Sequence, residues 1–309
     1  MKTRWLSALA LSILTVTLIP QWAGAASSPD EIWSTQATIA ARSERAGAPA
    51  APAVYRLNRD ALRQLIAGAP AEGAVARGAD RRMFLPTPDG KFTSFRIEQS
   101  PILEPELAAK YPDIETFRGQ GADDPTTSVR FSHTALGFQA TVVTPDGVYV
   151  VAPRTRGDLL YYEVTSIDGE LDEMFQCLLE AFGPGAAAAS LSGPIAALGA
   201  APSGTDLITY RLAVAATGEY TQFVGSQALA LAAIATTVNG VNAIYEVEVA
   251  VRLVIVADND DIVYDDPDTD PFPLNNKNAE TQAAIDAEIG DANYDIGHLF
   301  HRAGNSISG

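Results

Sequence analysis

Leu207-Ile208-Thr209-Tyr210-Arg211-Leu212-Ala213-Val214-Ala215-Ala216, followed by Thr217-Gly218-Glu219-Tyr220, is the run on which the C-terminal part of the sequence turns. It alternates at first and is then apolar on both faces, as a central strand of a covered sheet requires. From Tyr220 to about Ile244 the sequence is Ala- and Leu-rich, and Phe223, Leu229, Ala233, Val238 and Val241 share one helical stripe. Val247 to Val256 is expected as a second long strand. Strand, helix and strand at these lengths predict a βαβ unit with parallel strands. A helix is expected from about Asn278 to Ile289, ended by Gly290. Tyr294 to Phe300 is a third strand, with a turn at Ala303-Gly304-Asn305 and a fourth strand opening at Ile307. An open sheet edge there is expected to be aggregation-prone.

Upstream, Gly183 to Gly204 carries Gly-Pro-Gly, an alanine run, Gly-Pro and no charge. It is expected as an exposed linker over 183–205, the kind of segment proteases cut. Before it, short strand patterns recur between Gly and Pro turns. Phe84-Leu85-Pro86 and Phe92 to Ile97 form a hairpin across Pro88-Asp89-Gly90. Ile114 to Arg118, Ser128 to Ser132, Gly137 to Val143, Val148 to Ala152 and Leu159 to Val164 follow, which predicts an antiparallel β-rich domain over 26–182. A short helix, Arg59 to Ile66, is capped by Asn58. Residues 26–52, rich in Ala, Ser and Pro, are expected as a loosely ordered lead-in with a short helix around Ile32 to Arg42. His133, at a strand end, reads as structural.

Lys2 and Arg4 precede an apolar run from Trp5 to Ile19, and Ala23-Gly24-Ala25 supplies a cleavage pattern. Residues 1–25 are therefore expected to be a signal peptide, and the protein secreted or periplasmic; an uncleaved anchor is the alternative. No later stretch is expected to span a bilayer. Loss of Lys2 and Arg4 takes the net charge from -17 to -19. That balance argues against nucleic acid or an anionic membrane surface as partner. Cys177 is the single cysteine, so no internal disulfide framework exists. It is an inert buried thiol, half of a pair with something outside this chain, or a metal ligand. The loop from Asp258 to Pro273 carries Asp258, Asp260, Asp261, Asp265, Asp266, Asp268 and Asp270. Such oxygen ligands can hold calcium, although the spacing is not that of an EF-hand and a solvated acidic loop is the default.

Three stretches, Arg211 to Tyr220, Thr236-Thr237-Val238-Asn239-Gly240-Val241-Asn242, and Asn293-Tyr294-Asp295-Ile296-Gly297-His298, resemble the bacterial reprolysin-like zinc metallopeptidases of the metzincin clan. Tyr55 to Asn58, Leu85 to Gly90, Pro105 to Pro112 and Thr116 to Gly121 resemble the N-terminal domain of those proteins. The resemblance implies an α+β, α/β multidomain chain. Its antiparallel β-rich propeptide-like domain precedes the N-terminal part, 206–309, of a catalytic domain with a twisted mixed sheet and helices. It implies zinc and a protein or peptide substrate. The family's zinc helix carries H-E-x-x-H-x-x-G-x-x-H, and no H-E-x-x-H occurs here. His298 and His301, three apart, point to opposite faces if both lie on a strand. The chain is thus expected to stop before the zinc motif and to lack hydrolytic activity as it stands. The resemblance also offers Cys177 as a propeptide thiolate on zinc. Glu219 and Asp295 are at most candidates for cation binding or architecture. The competing expectation is an exported, non-enzymatic β-rich binding protein with a degenerate α/β domain.

Overall fold

The computed structural model describes residues 28–36, 53–167, 206–272 and 277–302. The expected signal peptide, the linker, Cys177 and the fourth strand at Ile307 lie outside these residues.

Nine strands build the first sheet: β1 (Trp33–Gln36), β2 (Val54–Leu57), β3 (Arg82–Pro86), β4 (Phe92–Gln99), β5 (Glu115–Gly121), β6 (Ser128–Thr134), β7 (Gly137–Thr144), β8 (Gly147–Pro153) and β9 (Tyr161–Ser166). Their order is β1-β2-β9-β8-β7-β6-β5-β4-β3, and every pairing is antiparallel. The two outer strands curl toward each other: the Trp33 indole donates to the Phe84 carbonyl of β3 at 2.8 Å. The inside is aromatic, with Phe117 stacked on Phe131 at 4.7 Å and Trp33 edge-on to Phe138 and Tyr162. Helix α1 (Pro29–Ile32) leads into β1, and helix α2 (Arg59–Ala67) buries Leu62, Leu65 and Ile66 against this core. Asn58 caps α2 as expected, accepting from the Ala61 amide. The lead-in expectation is corrected over 29–36. Ile32 and Trp33 are 1% exposed, and Trp33 to Gln36 forms a strand on β2 instead of continuing a helix. A large ring with a place in the core outweighs the surrounding Ala and Ser composition.

The C-terminal part begins with β10 (Ile208–Ala216). Helix α3 (Pro105–Lys110) belongs to the upstream part, so the next helices are α4 (Gly218–Val224) and α5 (Gln227–Glu248). Then come β11 (Val251–Ile255), a 3-10 turn (Asn259–Ile262), α6 (Lys277–Glu288) and β12 (Ile296–Phe300). The sheet runs β11-β10-β12, wholly parallel, with Leu212 paired to Ile255 on one side and Ile296 on the other. The βαβ expectation matches the structure; the expected mixed sheet is parallel among the described residues. Strand β10 is covered on both faces, by α5 against Leu212, Val214 and Ala216 and by α6 against Ala213 and Ala215.

Three details differ. The expected single helix breaks at Gly225, whose φ of 123° needs glycine, and Ser226 restarts it by accepting from the Leu229 amide. Val247 and Glu248 remain helical, because Val247 packs on Val143 and Val148 of the first sheet; the chain turns at Ala250, φ 52°, before β11. Finally, α5 is long and apolar enough to cross a membrane, contrary to the expectation that no later stretch is; half of its most apolar window is buried in the protein. That burial is what a core helix shows.

Residues of both parts belong to one apolar cluster. Ile102, Leu103 and Leu107 pack with Leu212, Val214, Leu231 and Ile255. The backbone joins them as well: Ile255 N donates to Ile102 O at 2.7 Å, and Glu104 N donates to Ile255 O at 2.9 Å. Helix α5 lies across β6 and β7.

Candidate functional site

In a parallel sheet the carboxyl ends of the strands are where ligand-binding loops gather. Here that end is the turn Thr217-Gly218-Glu219-Tyr220 together with the last residues of β12. Thr217 N donates to Phe300 O at 3.0 Å, and the Thr217 hydroxyl caps α4 by accepting from Tyr220 N. Tyr220 meets Phe300 edge-on at 5.4 Å. Burial pushes the Tyr220 phenol up from its ordinary value. A side chain at Gly218 would place its Cβ 2.1 Å from the Pro267 nitrogen, so the acidic loop lies directly on this turn.

The seven loop aspartates take several different partners. Asp270 accepts from Gly218 N at 2.8 Å and from Phe272 N at 2.9 Å. Asp266 accepts from Asp268 N at 3.0 Å. Asp260 accepts from the Lys110 ammonium at 2.9 Å and from the Tyr111 hydroxyl at 3.3 Å, and Asp258 lies 3.7 Å from the same ammonium. The Asp260 hydrogen bond raises the Lys110 pKa. Asp265 offers only its carbonyl, to Gln222 at 3.4 Å. For Asp261 the bond is again backbone, from its N to Asp258 O at 3.0 Å. Several of these carboxylates thus shape the loop.

Beneath the loop, Asn259 is fully buried and reaches β10: its Oδ1 accepts from Val214 N at 2.7 Å, and its Nδ2 donates to Val214 O at 3.0 Å. Asn242 does the same for Leu253 of β11, at 2.8 Å both ways. Two side-chain amides therefore act as strand partners where no strand is available.

Asp295 is fastened to Arg211, accepting from its amide at 2.7 Å and from two guanidinium nitrogens at 3.2 and 2.8 Å. The Arg211 hydrogen bond holds the Asp295 carboxyl below its usual range. This fork ties the start of β12 to β10. Glu219 sits in the first turn of α4, half-buried. His298 lies on β12 opposite Val214 and touches the Phe300 ring at 5.4 Å. It is exposed by surface area but flanked by protein, and this partial desolvation lowers its pKa. His301 follows the strand end. His133, in β6, lies 2.9 Å from Glu115. Among the described residues no three His, Cys, Asp or Glu side chains converge on a metal-holding geometry. The donor set of the described residues does not fit zinc.

One polar cluster escaped the sequence. Arg130 of β6, 2% exposed, donates to Asn239 Oδ1 at 2.7 Å, Glu246 Oε1 at 2.7 Å and the Ser100 hydroxyl at 2.9 Å. Arg252 of β11 pairs with that Glu246 and with Glu72 at 2.6 Å. Arg118 of β5 pairs with Glu98 at 2.7 Å and Glu72 at 3.3 Å. Burial pushes Glu246 up, but the charges and hydrogen bonds of Arg130 and Arg252 outweigh it and hold the carboxyl below its usual value. The sequence signal was Asn239, Asn242 and Glu246 on one mostly apolar helix.

A family model described as Metallo-peptidase family M12B Reprolysin-like matches residues 207–308. No curated protein and no solved structure matches the chain. Metallopeptidases of the M12 family generally use zinc, and a peptidase family acts on proteins or peptides.

Proposed function

We propose, for a chain whose residues 207–308 are reprolysin-like metallopeptidase sequence, that it serves an exported, zinc-dependent metalloendopeptidase made as a precursor. The observation that carries this is the family match falling on one βαβ-based unit, β10 to β12, whose turn, loop and strand ends are locked together as described above. The basic and apolar N-terminus, Lys2 to Ile19 with Ala23-Gly24-Ala25, supports export. The nine-stranded sheet takes the place of a propeptide domain. Residues 207–302 supply the scaffold and the rim of a cleft. Among the described residues no ligand set for zinc is present, and no H-E-x-x-H occurs in the 309 residues, so no hydrolytic step is assigned to side chains here. The 309-residue chain alone is therefore expected to leave peptides intact.

The experiment reads the DNA beyond codon 309 and compares the chain with any longer product for zinc content and casein hydrolysis. A longer product that binds one zinc and cleaves casein supports the proposal. A continuing frame without H-E-x-x-H refutes it, and leaves an exported β-rich binding protein as the alternative.

A further inference from the structure

The contact between the two sheets is built unlike a detachable one. Interfaces between domains that part are polar and wet. This one combines a shared apolar cluster, a backbone join and a buried charge network. Ile102 and Leu103 are 0% and 6% exposed, and Ile255 is 0% exposed. The segment 102–104 pairs in parallel with Ile255, so it covers the outer edge of β11. Taking it away would leave Ile255 N and O unpaired at a sheet edge.

The charges interlock across the joint. Arg130 and Glu72 come from the first sheet's part; Glu246 and Arg252 come from the second. Arg130 meets Glu246, and Arg252 meets Glu72. Asn239 of α5 accepts from Arg130 and donates to Ser132 of β6 at 3.0 Å. Each part therefore carries one cation and one anion whose partners are on the other. Separation takes Glu246 from Arg130, which is 2% exposed, the costly way to break such a pair, while Glu246 keeps Arg252 and Glu72 keeps Arg118. Lys110 on Asp260, Glu104 accepting from Ala257 N at 2.9 Å, and Arg156 stacked on Phe223 at 4.1 Å add contacts around the rim.

We infer that the nine-stranded sheet is a permanent structural subunit of the peptidase segment, and that cutting the chain between them yields a two-chain complex that stays together at neutral pH. The partner that covers this side of α5 and β11 is the chain's own residues 53–167. The inference stands on the contact geometry and goes beyond the peptidase proposal, which enters only in naming the segment.

To test it, a protease recognition sequence is inserted between Ser192 and Gly193 of the full chain, and the purified protein is cut, diluted and passed over a sizing column at neutral pH in low and high salt. Co-elution of the two fragments in both salts is the expected result. Elution apart at neutral pH overturns the inference. In Arg130→Met the cut pair is expected to separate at least roughly tenfold more readily. An unchanged separation in a folded variant overturns the role given to the charge network. Should the variant fail to fold uncut, the wild-type co-elution decides alone. No step needs hydrolytic activity, so a failure of the peptidase proposal and a failure of this one are distinguishable.

Discussion

Asn259 gives the sharpest test of how the C-terminal sheet is held. Asn259→Ala removes both partners of Val214, whose N–H and C=O lie on a residue that is 0% exposed. Each buried backbone group left unpaired costs about 1–3 kcal/mol. The pair, with the small void left by the amide, comes to about 4 kcal/mol, a large share of the roughly 5–15 kcal/mol by which domains are stable. At roughly 2–4 °C per kcal/mol for a protein of this size class, the melting temperature falls by about 10 °C. Urea unfolding followed by far-UV circular dichroism measures the loss. Trp33 fluorescence tracks the first sheet in the same titration when Trp5 and Trp22, both within the segment proposed as a leader, are replaced by Phe. Asn259→Asp adds a check of chemistry. Its second oxygen faces the Val214 carbonyl, so burial and repulsion raise the new carboxyl's pKa. A raised folded-state pKa means that stability is complete below the unfolded value of about 4 and is lost as pH rises through the folded value. Relative to wild type, the aspartate variant is thus expected to be weak at neutral pH and to recover in acid. A loss under about 1 kcal/mol for Asn259→Ala would refute the assignment of Asn259 as a strand substitute.

Two further outcomes follow from the same contacts. Gly218→Ala drives a Cβ into the Pro267 backbone, and is expected to cost about 1–3 kcal/mol and to loosen the acidic loop, read as faster proteolysis within 258–272. The pH dependence is fixed by Glu246: its folded-state pKa is depressed by Arg130 and Arg252, so its stabilisation is present above the ordinary glutamate value of about 4.3 and disappears as pH falls through the folded value. Glu246→Gln is expected to flatten the acid limb of a stability-versus-pH curve; an unchanged limb shows that the pairing contributes nothing there.

The parallel strands were legible because covered strands are apolar on both faces, and Leu212 to Ala216 is such a run. The hairpins were legible because Pro-Asp-Gly and Gly-rich turns are local chemistry. Val247 to Val249 was misread for a physical reason: alternation reports one covered face, and here Val247 is partly covered by packing of a helix on the first sheet. The aspartate loop drew attention as a candidate calcium site on composition. Among its carboxylates, Asp266 accepts from a local amide, while Asp270 and Asp260 also reach Gly218 and Lys110, 52 and 150 positions away. The joint between the sheets was hidden for the same reason. Arg130 and Glu246 are separated by 116 positions, and nothing near either one announces the other.

Charge explains why that joint matters to this chain in particular. With 38 acidic and 21 basic residues, any two parts of the protein tend to repel each other. At the joint that tendency is cancelled locally: Arg118, Arg130 and Arg252 stand among Glu72, Glu98 and Glu246, so the cluster carries no net charge. The surplus of carboxylates lies elsewhere, in places such as the loop from Asp258 to Asp270. Salt screens exposed charges far more than buried ones. Raising the ionic strength should therefore relieve the long-range repulsion while leaving the buried pairs almost untouched, and the two sheets gain cohesion in salt instead of losing it. A polar, solvated joint behaves in the opposite way, because there the attractive contacts are the ones that salt weakens.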